Sequence, residues 1–268
     1  EQASYGQLIA RPNPAVGCVL VKDNKVVGAG YTQEAGGPHA EVMAIRAAGD
    51  MAGGTTAYVT LEPCSHYGRT PPCSLGLIAA GVSRLVYGCQ DPNPQVAGQG
   101  LAQLRAANIE VIGPVMRTEC EASNRGFLQR MATNKPYVIN KMAMSLDGRT
   151  AMESGESQWI TGPEARAQVH LLRAQSCAVI TGIGSVLRDD PSMDVRPDEL
   201  ALAGVPLATV KRIKQPLRVV LDSQLRMPAT AKLLQQHGSV LIITCESDPQ
   251  KHQEFIGAGA EVVFCAAD

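Results

Sequence analysis

The sequence predicts two α/β domains in series, on three observations. Short apolar, β-rich runs alternate with segments of helical spacing, the pattern of sheets layered with helices. Charged, amphipathic sequence interrupts this alternation over residues 114–136, after which it resumes. A length of 268 residues suits one large domain or two ordinary ones.

Glu1 to Gly6 reads as the tail of a helix. Ala15 to Val21 and Lys25 to Tyr31 are strand-like runs joined by Lys22-Asp23-Asn24, a hairpin signal. His39 to Gly49 has helical spacing through Val42 and Ile45 and is closed by Gly49. Ala57 to Leu61 is a short buried strand that leads straight into Glu62-Pro63-Cys64. A helix over Cys73 to Ala80 ends at Gly81. Arg84 to Gly88 is a strand, Gln99 to Ala107 a helix and Glu110 to Ile112 a strand. Residues 114–136 read as a connecting helix and linker, amphipathic near Ala122 to Met131, so the domains are expected at 1–113 and 137–268.

The second series starts with a strand over Tyr137 to Met144 and a helix over Pro163 to Arg173. Strands follow at Cys177 to Thr181, Leu217 to Asp222, Ser239 to Thr244 and Glu261 to Phe264, with a helix over Asp248 to Gly257. Asp194 to Lys214 is expected to be an irregular surface excursion.

Composition narrows the function. A net charge of −1 and 4% aromatic residues do not supply the basic, base-stacking surface of a nucleic-acid binder. No apolar run approaches the roughly 18 residues of a membrane span. Eight cysteines are scattered without the dense spacing of a disulfide scaffold, which suits a reducing, cytoplasmic setting. Cys18, Cys89, Cys177 and Cys245 read as buried small hydrophobes. The chain shows no initiator methionine and no signal-peptide pattern, and both ends look cut.

The chemistry concentrates in His39-Ala40-Glu41, Pro63-Cys64 and Cys73. Zinc takes nitrogen and sulfur ligands, and a catalytic zinc keeps three protein ligands with one position open to water. His39, Cys64 and Cys73 supply three, and Glu41 is left to carry protons. Zinc deaminases acting on bases carry H-x-E followed by P-C-x-x-C. Here eight residues, not two, separate Cys64 from Cys73. Two rival readings remain at this point. One is a deaminase of bases in nucleic acid. The other is a structural zinc closed by His66 in a non-catalytic binding module.

Further motifs are less specific. The insert Ser65 to Pro72 reads as a turn or as a substrate loop, with Arg69 placed for a phosphate. Asp91-Pro92-Asn93-Pro94 follows a strand, where open α/β sheets bind ligands. Thr181-Gly182-Ile183-Gly184-Ser185 resembles a dinucleotide loop without its third glycine. Trp159 reads as core packing or as part of a site.

Together these motifs resemble the bifunctional deaminase/reductase family of riboflavin biosynthesis. The carrying residues are Asn13-Pro14-x-Val16-Gly17, His39-Ala40-Glu41, the stretch Thr60 to Cys73 and Asp91-Pro92-Asn93. In the second half they are Lys141, Ser145 to Arg149, Ser157 to Thr161, Leu172-Arg173-Ala174 and Asp189-Asp190-Pro191. The long Cys64–Cys73 insert is the form this family has.

The resemblance implies a cytidine-deaminase-like three-layer domain, then a dihydrofolate-reductase-like domain that is C-terminally incomplete here. It implies one zinc per chain, NADPH and a phosphorylated pyrimidine substrate, with no nucleic acid or membrane partner; a homo-oligomer is also expected. On this analogy Asn13, His66, Arg69, Asp91 and Asn93 hold the deaminase substrate. Lys141, Ser157, Arg173, Asp189 and Arg196 hold the reductase substrate, and Ala143, Trp159, Ser185, Asp189 and Ser223 line the NADPH site. Family members normally have a helix before Glu1 and strands after Asp268. A protein ending at Asp268 is therefore expected to deaminate but to reduce poorly.

Overall fold

The computed structural model describes residues 1–94 and 96–266. Gln95, Ala267 and Asp268 lie outside the described residues, and so does the expected domain end at Asp268. The chain forms two compact units that meet in sequence between Asn140 and Lys141.

The first unit contains α1 (Gln2–Ile9), β1 (Gly17–Lys22), β2 (Lys25–Tyr31), α2 (Ala40–Ala48), β3 (Thr56–Leu61), α3 (Cys73–Ala79), β4 (Arg84–Cys89), α4 (Gln99–Ala106), β5 (Glu110–Ile112), α5 (Arg117–Ser123) and α6 (Arg125–Thr133). Its sheet runs β2-β1-β3-β4-β5. β1 is antiparallel to β2 and β3, whereas β3, β4 and β5 are mutually parallel. Asp23 and Asn24 close the predicted hairpin with φ of 48° and 59°, the left-handed pair that matches strand twist.

The core joins Leu20 of β1, Leu61 of β3, Leu77 of α3, Leu85 of β4 and Leu104 of α4, all buried. α2 adds Ala40, Ala44 and Ala48, small residues that let it lie close to the sheet. Gly28 and Gly30 of β2 are the other half of that fit. A Cβ on Gly28 would fall 2.3 Å from the Ala44 carbonyl oxygen, and one on Gly30 would fall 2.5 Å from Met43 Cβ. This contact sets the height of α2, and so of His39 at its head.

Residues 114–136, expected as a connecting helix and linker, fold as α5 and α6 within the first unit. The amphipathic helix expected across Ala122 to Met131 breaks at Asn124 (φ −131°, ψ 26°), whose side chain bonds the backbone of Ala15.

The second unit contains α7 (Pro163–Gln175), β6 (Ala178–Gly182), α8 (Ile183–Asp189), α9 (Pro197–Leu202), α10 (Leu207–Val210), β7 (Leu217–Leu221), α11 (Lys232–Gln235), β8 (Val240–Thr244), α12 (Pro249–Gly257) and β9 (Ala260–Phe264). Its sheet, β6-β7-β8-β9, is parallel throughout. Val220, Ile242 and Leu233 form the buried centre.

Three expectations are corrected here. Tyr137 to Met144 is not a strand: among the described residues no strand pairs with it, and Val138 is 78% exposed. Asp194 to Lys214 holds α9 and α10 and buries Val195 and Leu200. Pro197 starts α9 with Asp198 and Glu199 in its first turn, a helix-start signal inside a polar, irregular-looking stretch. Cys177, expected to be buried, is exposed because it precedes the edge strand β6; Cys245 is half-buried.

Gly30→Ala should destabilise the first unit by about 1–3 kcal/mol, the cost of overpacking a close contact. Denaturant unfolding checks this; an unchanged midpoint would mean that α2 does not rest on β2 in this way.

Candidate active site

Three element ends meet at one point. His39 caps α2 in an extended conformation (φ −76°, ψ 168°), Cys73 opens α3, and Cys64 lies just beyond β3. The head of α4 presses on the turn that carries Cys64. A Cβ on Gly100 would sit 2.0 Å from the Pro63 carbonyl oxygen, so only glycine fits there.

His39 Nδ1 is 3.3 Å from Cys73 Sγ and 3.6 Å from Cys64 Sγ. All three donor atoms lie within 4.8 Å of one another. A tetrahedral zinc with Zn–N of about 2.0–2.1 Å and Zn–S of about 2.3 Å holds nitrogen and sulfur roughly 3.6 Å apart. The spacing fits. His66 does not join this group among the described residues. Three donors match a catalytic zinc, whereas a structural zinc takes four. His39 Nε2 faces Thr70 Oγ1 at 3.5 Å, on the side away from the thiols.

Burial and charge tune the cluster. The bond between the two thiols pulls the Cys64 pKa down to about 4, with help from His39, and pushes that of buried Cys73 up. Glu41 is 3% exposed, and burial, reinforced by the Cys64 charge, raises its pKa to about 6. The bond to Cys64 raises His39 in turn. A carboxyl near 6 can both take and give a proton near neutral pH.

A cavity of about 340 Å³ opens on this cluster, with His39, Glu41 and Cys64 in its wall. Asn13, His66, Arg69, Asp91 and Asn93, the residues expected to hold the deaminase substrate, all line the same cavity. Asp91 is buried, which raises its carboxyl, and its Oδ1 accepts the Asn93 N–H at 2.9 Å.

Sequence reasoning gave no role to Glu62 or Phe127, which also line the cavity. Glu62 Oε2 accepts the Gly98 N–H at 3.0 Å and so braces the loop that carries Asp91 and Asn93. A carboxylate at the inner end of a buried strand was the available signal for Glu62; nothing local marked Phe127.

In the second unit, Arg173 Nη1 donates to the Asp194 carbonyl at 2.9 Å, and Arg196 pairs with the Asp194 carboxylate at 3.6 Å. The two arginines therefore share one turn. Arg188 Nη2 donates to the Gly155 carbonyl at 2.8 Å, tying the loop that leads to Ser157 and Trp159 to α8, which carries Ser185 and Asp189. Gly182 pairs with Leu221, so Ser185 and Ser223 follow strands that end at the same sheet edge, where open α/β sheets bind ligands. A Cβ on Gly182 or Gly184 would meet nothing within 4 Å, which leaves room for a phosphate near the backbone. These features fit a dinucleotide. Trp159 is 69% exposed, not core, with the Arg166 guanidinium 4.4 Å above its ring. Among the described residues no hydrogen bond or ion pair joins Lys141 or Ala143 to these groups.

The class these features define is a zinc-type deaminase domain followed by a reductase domain. The family model for the cytidine and deoxycytidylate deaminase zinc-binding region matches residues 1–89, and that for the RibD C-terminal domain matches residues 136–267. The chain is 53% identical over 254 residues to riboflavin biosynthesis protein RibD of Escherichia coli, covering 95% of this chain and 69% of that protein. It is 52% identical over 262 residues to the Haemophilus influenzae protein of the same name, covering 98% and 70%. Acinetobacter baumannii RibD superposes with a TM-score of 0.87 at 47% identity, covering 99% of this chain and 71% of that one. A Thermotoga maritima deaminase/reductase structure gives a TM-score of 0.84 at 33% identity, with 98% and 71% covered. The chain belongs to the RibD family of riboflavin-biosynthesis proteins.

Because Cys73 keeps its proton in the metal-free site, zinc binding should release about one proton or more at neutral pH. Calorimetry in buffers of different ionisation enthalpy checks this; binding with no proton release would contradict the thiol–thiolate pair.

Proposed function

We infer that the protein serves riboflavin biosynthesis in two steps, one in each unit. The first unit replaces the 2-amino group of 2,5-diamino-6-ribosylamino-4(3H)-pyrimidinone 5′-phosphate with oxygen. The second reduces the ribosyl group of that product to ribityl, giving 5-amino-6-(5-phosphoribitylamino)uracil. The observation that carries this reading is that two of the metal donors, His39 and Cys64, share one cavity with Glu41 and the expected substrate residues, while the third donor, Cys73, lies within 4.8 Å of both behind the wall.

Zinc on His39 Nδ1, Cys64 and Cys73 would supply a Lewis acid that makes water nucleophilic at neutral pH. Glu41 takes a proton from the water as its oxygen bonds to C2. It delivers that proton to the 2-amino nitrogen, the C2–N bond breaks, and ammonia leaves. The pKa of about 6 lets one carboxyl do both. Arg69 pairs with the 5′-phosphate at the cavity mouth, where a guanidinium can bind two oxygens. Asn13, His66, Asp91 and Asn93 orient the pyrimidine and ribose.

In the second unit, Lys141, Ser157, Arg173, Asp189 and Arg196 are assigned to the phosphorylated substrate. Ala143, Trp159, Ser185, Asp189 and Ser223 are assigned to NADPH, which would supply the hydride. The eight cysteines, all free, agree with a reducing cytoplasm, and no described helix is long and apolar enough to cross a membrane. We assign the protein no nucleic-acid partner.

Glu41→Gln should keep zinc and lower deamination by about 10²–10⁴-fold. Zinc loss on elemental analysis would make Glu41 a ligand instead. Arg69→Ala should raise KM for the phosphorylated substrate and leave zinc content alone; an unchanged KM would remove Arg69 from the phosphate site.

A further inference from the structure

The break between α5 and α6 is built around one side chain. Asn124 is 5% exposed. Its Oδ1 accepts the Ala15 N–H at 2.7 Å, and its Nδ2 donates to the Ala15 carbonyl at 2.9 Å. One amide thus satisfies both backbone groups of a residue 109 positions away. Beside it, the Ser123 carbonyl accepts Gln7 Nε2 from α1 at 2.7 Å.

Ala15 ends the turn Pro12-Asn13-Pro14, and all three residues line the cavity. Two prolines lack N–H donors, so few backbone bonds can fix this turn. The Asn13 N–H goes to the Ala10 carbonyl at 2.9 Å on one side. On the other side, the Asn124 amide holds Ala15. Phe127 lies one helical turn beyond Asn124 and lines the same cavity. A single segment therefore fixes the Asn13 turn and contributes an apolar wall.

We propose that α5 and α6 complete the deaminase substrate site, with Asn124 as the positioning residue that aims Asn13 and Phe127 as a wall that shapes the pocket. This rests on the deaminase reading above and assigns it residues outside the zinc motifs. The metal donors stand on other elements, α2, α3 and the end of β3, so the segment acts on substrate binding and not on the metal.

The test is a double-mutant cycle in the full chain, read as kcat, KM and zinc content. Asn124→Ala removes both bonds to Ala15 and should raise KM by about ten-fold or more, at up to about ten-fold per lost hydrogen bond, with kcat and zinc within about two-fold of wild type. In an Asn13→Ala background it should raise KM no further, because coupled residues are not additive. If Asn124→Ala does not accumulate as folded protein, Asn124→Asp, which keeps the acceptor for the Ala15 N–H, carries the same cycle. Phe127→Leu, at a half-buried position, should raise KM and keep kcat. Additive effects of Asn124 and Asn13, or a fall in kcat and zinc at unchanged KM, would reduce Asn124 to a structural role and overturn the proposal. An unchanged KM in Phe127→Leu would remove that wall. A zinc-loaded wild type that does not deaminate the pyrimidine phosphate would overturn both this proposal and the deaminase reading, a result distinct from an active enzyme whose cycle is additive.

Discussion

The first unit depends on the close seating of α2 against β2. Gly28 and Gly30 leave no side chain between strand and helix, and the alanines of α2 complete the fit. That contact fixes where α2 begins. His39 Nδ1 then meets two sulfurs that arrive from the end of β3 and the head of α3. A shift of one ångström in the helix would separate donors whose bonds to a metal tolerate only a few tenths.

The same packing sets the electrostatics. Glu41 is the second residue of α2, two positions from His39, and is therefore buried beside the donors, which raises its carboxyl towards neutrality. The paired thiols share one proton, leaving a charged Cys64 next to His39 and Glu41. The cavity-lining residues assigned to the substrate stand on loops braced by their own buried bonds. Glu62 holds the loop of Asp91 and Asn93, and Asn124 holds the turn of Asn13. Rigid elements carry the metal donors, and braced loops carry the residues assigned to the substrate, a division that would keep catalytic geometry fixed while the pocket is shaped separately.

Much of this was legible in the sequence, because it rests on short-range signals. His39-Ala40-Glu41, Pro63-Cys64 and Cys73 encode donor types and spacing, and the apolar runs mark most strands to within a residue or two. What was not legible depended on distant partners. The break at Asn124 exists because of Ala15, more than a hundred residues earlier in the chain. Phe127 matters because of where α6 lies, not because of its neighbours in sequence. Tyr137 to Met144 has strand-like composition, but a strand forms only with a ladder partner. α9 went unread because Pro197 and its acidic neighbours resemble a loop until Leu200 is seen to be buried.

Both the chemistry and the architecture turn on an open three-donor zinc site made by His39, Cys64 and Cys73. X-ray absorption at the zinc edge of the purified, zinc-loaded protein tests it most directly. Two sulfurs at about 2.3 Å and two lighter atoms at about 2.0–2.1 Å are expected, in a spectrum unaltered in His66→Ala. A shell that changes when His66 is removed, or one holding fewer than two sulfurs, would contradict it.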